Sequence, residues 1–198
     1  MSGAVITRLS RMARWEPDAR GRMTRAALDL YAEQGFEQTT TAQIAERAGV
    51  TERTYFRHFA DKREVLFDGS HELEDSVVTA VREAPEGAAP LDVVGDAFAT
   101  AVSALEERRE FAARRAAVVA ATPRLREREL LKLDALRDAA ARALRDRGVA
   151  EPAASMVAEA GVAAFRVGFE AWIASGQERP VADETRAALA ALREQAAG

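Results

Sequence analysis

Apolar positions recur along this chain at the three- and four-residue spacing of helix faces. Met23, Ala26, Ala27, Leu30 and Tyr31 share one face of a helix predicted over about 17–34, which Gly35 ends. A second helix starts at Thr40, with Gln43 three residues on in capping-box spacing. It turns Ile44, Ala45 and Ala48 inward and stops at Gly49. A short third helix follows Thr51 and carries Tyr55, Phe56 and Phe59. Asp61 is expected to cap a fourth helix over 61–83, with Glu64 at its third position and Val65, Leu66, Leu73, Val77 and Val81 on its inner side.

Pro85, Gly87 and Pro90 break the pattern over 84–90. Five further helices are predicted at roughly 91–107, 110–121, 124–147, 152–175 and 183–196. No segment alternates with strand chemistry, so the chain is expected to be all-α. The helix over 152–175 is apolar on more than one face, as a helix buried on several sides must be.

Composition narrows the chemistry. The 198 residues include no Cys and two His, 48% are hydrophobic and 30% charged. A disulfide scaffold, a thiolate-held metal or cluster and a Cys nucleophile are excluded. His58 and His71 lack metal-ligand spacing, so no metal and no cofactor are expected. No apolar run has the length of a membrane span, and the first residues lack a signal-peptide core, because Arg8, Arg11 and Arg14 interrupt it. The expected compartment is the cytoplasm. An enzyme is disfavoured: Glu127, Glu129, Asp134 and Asp138 are interspersed with Arg124, Arg126, Arg128, Lys132, Arg137 and Arg142, the pattern of a solvated helix face.

The net charge of -4 speaks against a nucleic-acid binder until it is split. Residues 1–63 hold 11 Lys+Arg against 8 Asp+Glu, and residues 64–198 hold 17 against 24. A basic front part precedes an acidic remainder. Within the front part, Ala48-Gly49-Val50 forms the tight turn of a helix-turn-helix, whose second helix enters a major groove. Arg53 can bond a guanine bidentately, Thr54 can touch a thymine methyl or a phosphate, and Glu52 can accept from cytosine. Arg57, His58 and Lys62 are placed for phosphates, as are the backbone N–H groups that Thr40, Thr51 and Asp61 expose at helix starts. Arg20, Arg22 and Arg25 open the first helix, where one or two can face phosphate. The basic arm can lie in a minor groove or serve as a solubilising tail.

The stretch AALDLYAEQGF followed by TTAQIAERAGVTERTYFRHFADKREVLF resembles the TetR family of one-component transcriptional regulators across about 20–67. The resemblance implies a basic arm over 1–19, a three-helix DNA-binding domain over 20–66 with its motif at about 40–59, and a helical regulatory and dimerisation bundle over 67–198, joined through a shared helix. It carries Thr40 onto a cap that often touches phosphate, Arg53 and Thr54 onto base-proximal positions, and His58 and Lys62 onto phosphate positions. Together with the residue chemistry above, the candidate DNA contacts are Thr40, Thr51, Glu52, Arg53, Thr54, Tyr55, Arg57, His58 and Lys62. One departure stands out: the family usually has Tyr where this chain has Phe56, and that hydroxyl often binds phosphate. The role of the Tyr55 hydroxyl stays open.

The resemblance also implies an operator, a homodimer and a small, largely apolar organic ligand, with repression as the default outcome. Candidate ligand contacts are Phe98, Val102, Phe111, Arg115, Val118 and Leu133. Arg114 and Arg115 point to different faces, so one of them can turn inward. The turn Thr122-Pro123-Arg124-Leu125-Arg126 resembles that of members that respond to acyl thioesters. The candidate dimer face comprises Ala160, Ala164, Phe165, Gly168, Phe169, Trp172, Leu189 and Leu192.

Overall fold

The computed structural model describes residues 18–175 and 179–197. The basic arm with Arg8, Arg11 and Arg14 lies outside the described residues. Among the described residues all regular structure is helical, in the order α1 (Ala19–Gln34), α2 (Thr41–Arg47), α3 (Glu52–His58), a 3-10 turn (Glu64–Phe67), α4 (Ser70–Glu83), α5 (Pro90–Val102), a second 3-10 turn (Ser103–Arg108), α6 (Arg109–Ala121), α7 (Pro123–Asp146), α8 (Ala153–Ala174) and α9 (Val181–Ala197).

Local capping chemistry sets the first part. The Asp18 carboxylate accepts the Gly21 N–H at 2.8 Å and opens α1. Thr40 and Gln43 close a reciprocal capping box on α2, the hydroxyl taking one backbone N–H and the amide oxygen another. The Thr51 hydroxyl accepts the Thr54 N–H at 3.1 Å and opens α3. Between α2 and α3, Gly49 takes φ +67, and the Val50 N–H returns to the Ala45 carbonyl at 2.9 Å.

The expected fourth helix is not one helix. Asp61 caps a 3-10 turn instead, its carboxylate taking the N–H groups of Arg63 and Glu64. The chain then passes through Gly69 at φ +94 before α4 begins. Val65 and Leu66 therefore sit on the turn, while Val77 and Val81 are buried on α4.

Three apolar cores result. Met23, Leu28, Ile44, Tyr55, Val65 and Leu66 belong to the first, which also takes in Val119 of α6 and Leu125 of α7. The second is built from α4, α5, α7 and α8 around Phe98, Leu144 and Ala158. The third is small and holds Val102, Ala112, Trp172 and Val181. Residues 18–68 are called the head below, and the rest the body.

Helix α8 packs against α9, where Gly168 makes the close approach possible. A Cβ at this position would lie 2.6 Å from the Thr185 backbone. The guanidinium of Arg109 closes the carboxyl end of α8, donating to the carbonyls of Trp172 (2.7 Å) and Ile173 (2.9 Å).

Candidate nucleic-acid interface

Helix α3 presents one buried and one open face. Tyr55 is fully buried, and Phe59, the residue just after the helix, is buried beside it. Glu52, Arg53, Phe56, Arg57 and His58 are exposed, and Thr54 is half-buried. Four head arginines hold carboxylates: Arg20 on Asp68, Arg25 on Asp18, Arg47 on Glu33 and Arg63 on Asp61. Arg53 and Arg57 have no ion-pair partner among the described residues. The open side of α3 therefore carries two unneutralised guanidinium groups four residues apart, on one ridge of the helix.

Other expected contacts are arranged around this ridge. Thr40 and Thr51 are exposed at the starts of α2 and α3, each with its hydroxyl engaged in capping. Thr54 Oγ1 lies 2.9 Å from Thr51 Oγ1. Glu52 accepts from the Thr41 hydroxyl at 2.6 Å, which ties the start of α3 to the start of α2. No sequence pattern singles out Thr41 for this work, because its partner lies eleven residues away in the chain.

Two of the expected DNA contacts do not face outward. Tyr55 is 0% exposed, and its hydroxyl donates to the Asp61 carbonyl at 3.1 Å. Burial, and then the charge of Asp61, push this phenol well above its usual value, so it stays a protonated donor. The helical period explains its placement: it lies four residues before Phe59, on the same inner ridge.

Lys62 folds back onto the head. Its ammonium donates to the carbonyls of Phe36 (2.8 Å), Thr39 (3.0 Å) and Glu37 (3.4 Å), and sits 4.3 Å from the centre of the Phe36 ring. Its own carbonyl accepts from the Tyr31 hydroxyl. The side chain staples the turn between α1 and α2. Of the arginines opening α1, Arg22 donates through Nε to the Ala48 carbonyl at 3.0 Å and braces the helix-turn-helix turn.

The head is joined to the body by charge and by packing. Arg114 reaches Asp29 at 2.7 Å. Arg115 is the more buried of the adjacent pair: it donates to the Leu66 carbonyl at 2.7 Å and to Glu129 at 3.1 Å, and lies over the Phe67 ring. Arg128 and Lys132 both hold Glu64. Burial alone would raise the Glu64 carboxyl, but the bond from Arg128 and the two positive charges outweigh it, and the group lies below its ordinary value.

The expected ligand contacts do not converge on one cavity. Phe98 and Val102 are fully buried in the body, in different cores, and Leu133 packs against the second core. Phe111 and Val118 pack against the head's core, and Arg115 grips the 3-10 turn. Two clefts of about 290 Å³ lie elsewhere. One is between α4 and α7, lined by Glu74, Arg82, Arg142 and Asp146 among others, and one is beside Pro90 and Arg147.

Several expected dimer residues are likewise used inside the chain. Trp172 is 1% exposed, Ala164 is buried, Gly168 meets Thr185, and a Cβ on Gly95 would collide with Leu189. Ala160, Phe165 and Phe169 are half-buried. The apolar groups left outward include Met156, Ala163, Val167 and Ala171 on α8 and Leu192 on α9. An all-round apolar helix hides which side is outermost, so the sequence pattern alone could not separate these sets.

Comparison with known proteins follows the same division. A family model described as "Bacterial regulatory proteins, tetR family" matches residues 24–68. The chain is 40% identical over 79 residues to the HTH-type transcriptional regulator TcmR of Streptomyces glaucescens, covering 40% of this chain and 35% of that one. It is 30% identical over 67 residues to the HTH-type transcriptional activator FasR of Mycolicibacterium smegmatis, covering 34% of this chain and 31% of that one. The chain thus spans about a third of the length of the curated relatives it matches. Over nearly its whole length it resembles the crystal structure of Thermus thermophilus FadR in complex with lauroyl-CoA, at 26% identity and a TM-score of 0.54, covering 88% of this chain and 93% of that one.

Proposed function

We propose, from the premise that the chain belongs to the TetR family of bacterial regulatory proteins, that it is a sequence-specific transcriptional regulator, a repressor released from its operator by a small organic ligand. The observation that carries this reading is the pair Arg53 and Arg57, exposed and unneutralised on the open side of α3. Arg53, near the start of α3, suits a guanine edge, and Arg57 and His58 one turn on suit phosphates.

The protein binds as a homodimer. The outward strip Met156, Ala163, Val167 and Ala171 on α8, continued by Leu192 on α9, is the surface that pairing covers. Two recognition helices then sit about 34–36 Å apart and enter successive turns of the major groove.

The ligand acts by differential binding to two states of the body. The FadR relative holds lauroyl-CoA, which supports a ligand with a long apolar part. The core around Phe98 is closed in the form described here, so loading a ligand there requires α5, α7 and α8 to part. Ligand and operator then weaken each other reciprocally.

The test is selection of duplexes from a random pool by the full chain. A twofold-symmetric operator is expected, with binding that weakens steeply as salt rises. Arg53→Ala is expected to relax preference at one base position per half-site. Absence of any enriched sequence, or an Arg53→Ala protein with wild-type preference, refutes the reading.

A further inference from the structure

Phe56 is a large apolar side chain in a place where water would be its neighbour. It is 53% exposed, whereas Phe36, Phe59 and Phe67 of the head are all buried at 6% or less. It stands one turn beyond Glu52 and next to Arg57, on the open side of α3. Its ring meets the Tyr55 ring edge-on, 5.6 Å between centres and 86° between planes. Tyr55 is itself fixed by burial and by its bond to the Asp61 carbonyl, so Phe56 rests on a rigid support. The Glu52 carboxylate beside it is drawn toward the Thr41 hydroxyl.

We propose that Phe56 is a specificity-determining residue that packs on the 5-methyl group of a thymine in the operator's major groove. This rests on the DNA-binding reading and adds a second base contact to Arg53. The ring has no hydroxyl and cannot hold a phosphate. The thymine methyl is the apolar group that the major groove displays, and aromatic contact with it is an established mode of base readout. Docking would remove both the ring edge and the methyl from water. The flanking cations Arg53 and Arg57 draw the anionic duplex to this part of α3 and hold the ring against it.

The experiment uses the operator selected by the full chain. Each thymine is replaced singly by deoxyuridine, which lacks only the methyl. Affinities are measured for the wild type, Phe56→Ala and Phe56→Leu. For the wild type, one thymine per half-site is expected to show a loss of about fourfold on replacement, the worth of one buried methyl. Phe56→Ala is expected to bind the thymine and deoxyuridine duplexes within about 1.5-fold of each other, and Phe56→Leu to retain about half of the discrimination on a logarithmic scale. Circular dichroism of both variants separates a folding defect from a lost contact. A wild type indifferent to every deoxyuridine, or a folded Phe56→Ala protein that still discriminates, overturns the proposal. Failure of the pool to yield any operator overturns the DNA-binding reading itself, so the two failures are distinguishable.

Discussion

Replacing Lys62 by Met keeps an unbranched, flexible stem of similar reach but removes the ammonium. The wild-type ammonium holds three carbonyls, two at 3.0 Å or less, and lies over the Phe36 ring. A hydrogen bond to a charged group contributes about 1.5–3 kcal/mol when desolvated, and a partly exposed cation–π contact about 1 kcal/mol. Lys62 is only half-buried, and water can satisfy part of what it leaves behind. A loss of about 2–3 kcal/mol of head stability is therefore expected for Lys62→Met. For a chain of this size that lowers Tm by about 5–10 °C.

The informative assay is operator affinity across a salt series. A cation that neutralises a phosphate contributes about 0.9 to the slope of log K against log salt. Lys62→Met is expected to leave that slope unchanged while lowering affinity by one factor at every salt concentration, because the turn leading to Thr40 loosens. Arg57→Ala is expected to do the reverse, lowering the slope by about 1 per half-site with little change in Tm. A Lys62→Met protein with wild-type Tm and a slope reduced as in Arg57→Ala would refute the staple and restore Lys62 as a phosphate contact.

Tyr55→Phe removes a buried donor to the Asp61 carbonyl and is expected to cost about 1 kcal/mol in denaturant unfolding, with operator affinity of the folded protein unchanged; a weaker operator complex at full folding would place the hydroxyl on DNA. Glu64 lies below its ordinary value when folded, so its stabilising effect is present above the unfolded value and is lost as pH falls through the folded one. Glu64→Gln is therefore expected to be about 1 kcal/mol less stable than wild type at neutral pH, and the two are expected to converge as pH drops below 4.5; a gap that persists at low pH would refute the assignment. Gly168→Ala places a Cβ 2.6 Å from the Thr185 backbone and is expected to cost about 1–3 kcal/mol by forcing α8 and α9 apart within one chain. That loss is expected at every protein concentration, whereas a loss that vanished on dilution to monomer would return Gly168 to the dimer face.

What was legible in the sequence was local. Thr40 with Gln43, and Thr51 with Thr54, bond across three residues, so residue type and spacing together specify them. Gly49 announces its turn because a non-glycine residue resists φ +67. The break at Asp68-Gly69 had a signal, a turn dipeptide, but the hydrophobic period running from Leu66 to Leu73 masked it. Lys62 was not legible in this way. Its partners lie 23 to 26 residues back, and a basic residue after a recognition helix reads as a phosphate ligand until the fold shows where its carbon stem leads. Tyr55 carried two messages, an inward period and a polar tip, and burial with one internal hydrogen bond satisfied both. On α8 the pattern showed that several sides are covered without ranking them, because Ala160, Ala164 and Gly168 serve a neighbouring helix as well as they would serve a second copy.

The seam between head and body decides how a ligand signal travels. Val119 and Leu125 come from α6 and α7 yet are 1% and 0% exposed inside the head's core. Burying two such side chains contributes about 3–6 kcal/mol, before the bonds of Arg115 to Leu66 and of Arg114 to Asp29 are added. Coupling between sites in regulatory proteins is typically about 1–3 kcal/mol. A signal of that size is too small to peel the α6–α7 corner off the head, but large enough to swing the two together. The connection at Gly69 is a poor lever by comparison, since the chain there is a single bend between a 3-10 turn and α4. The head is therefore expected to move as a rigid unit with the α6–α7 corner, and the spacing of two recognition helices responds to that motion. Cutting Arg114 from Asp29 and Arg115 from Leu66 by double Met substitution is accordingly expected to leave ligand affinity near wild type while reducing the ligand's effect on operator affinity.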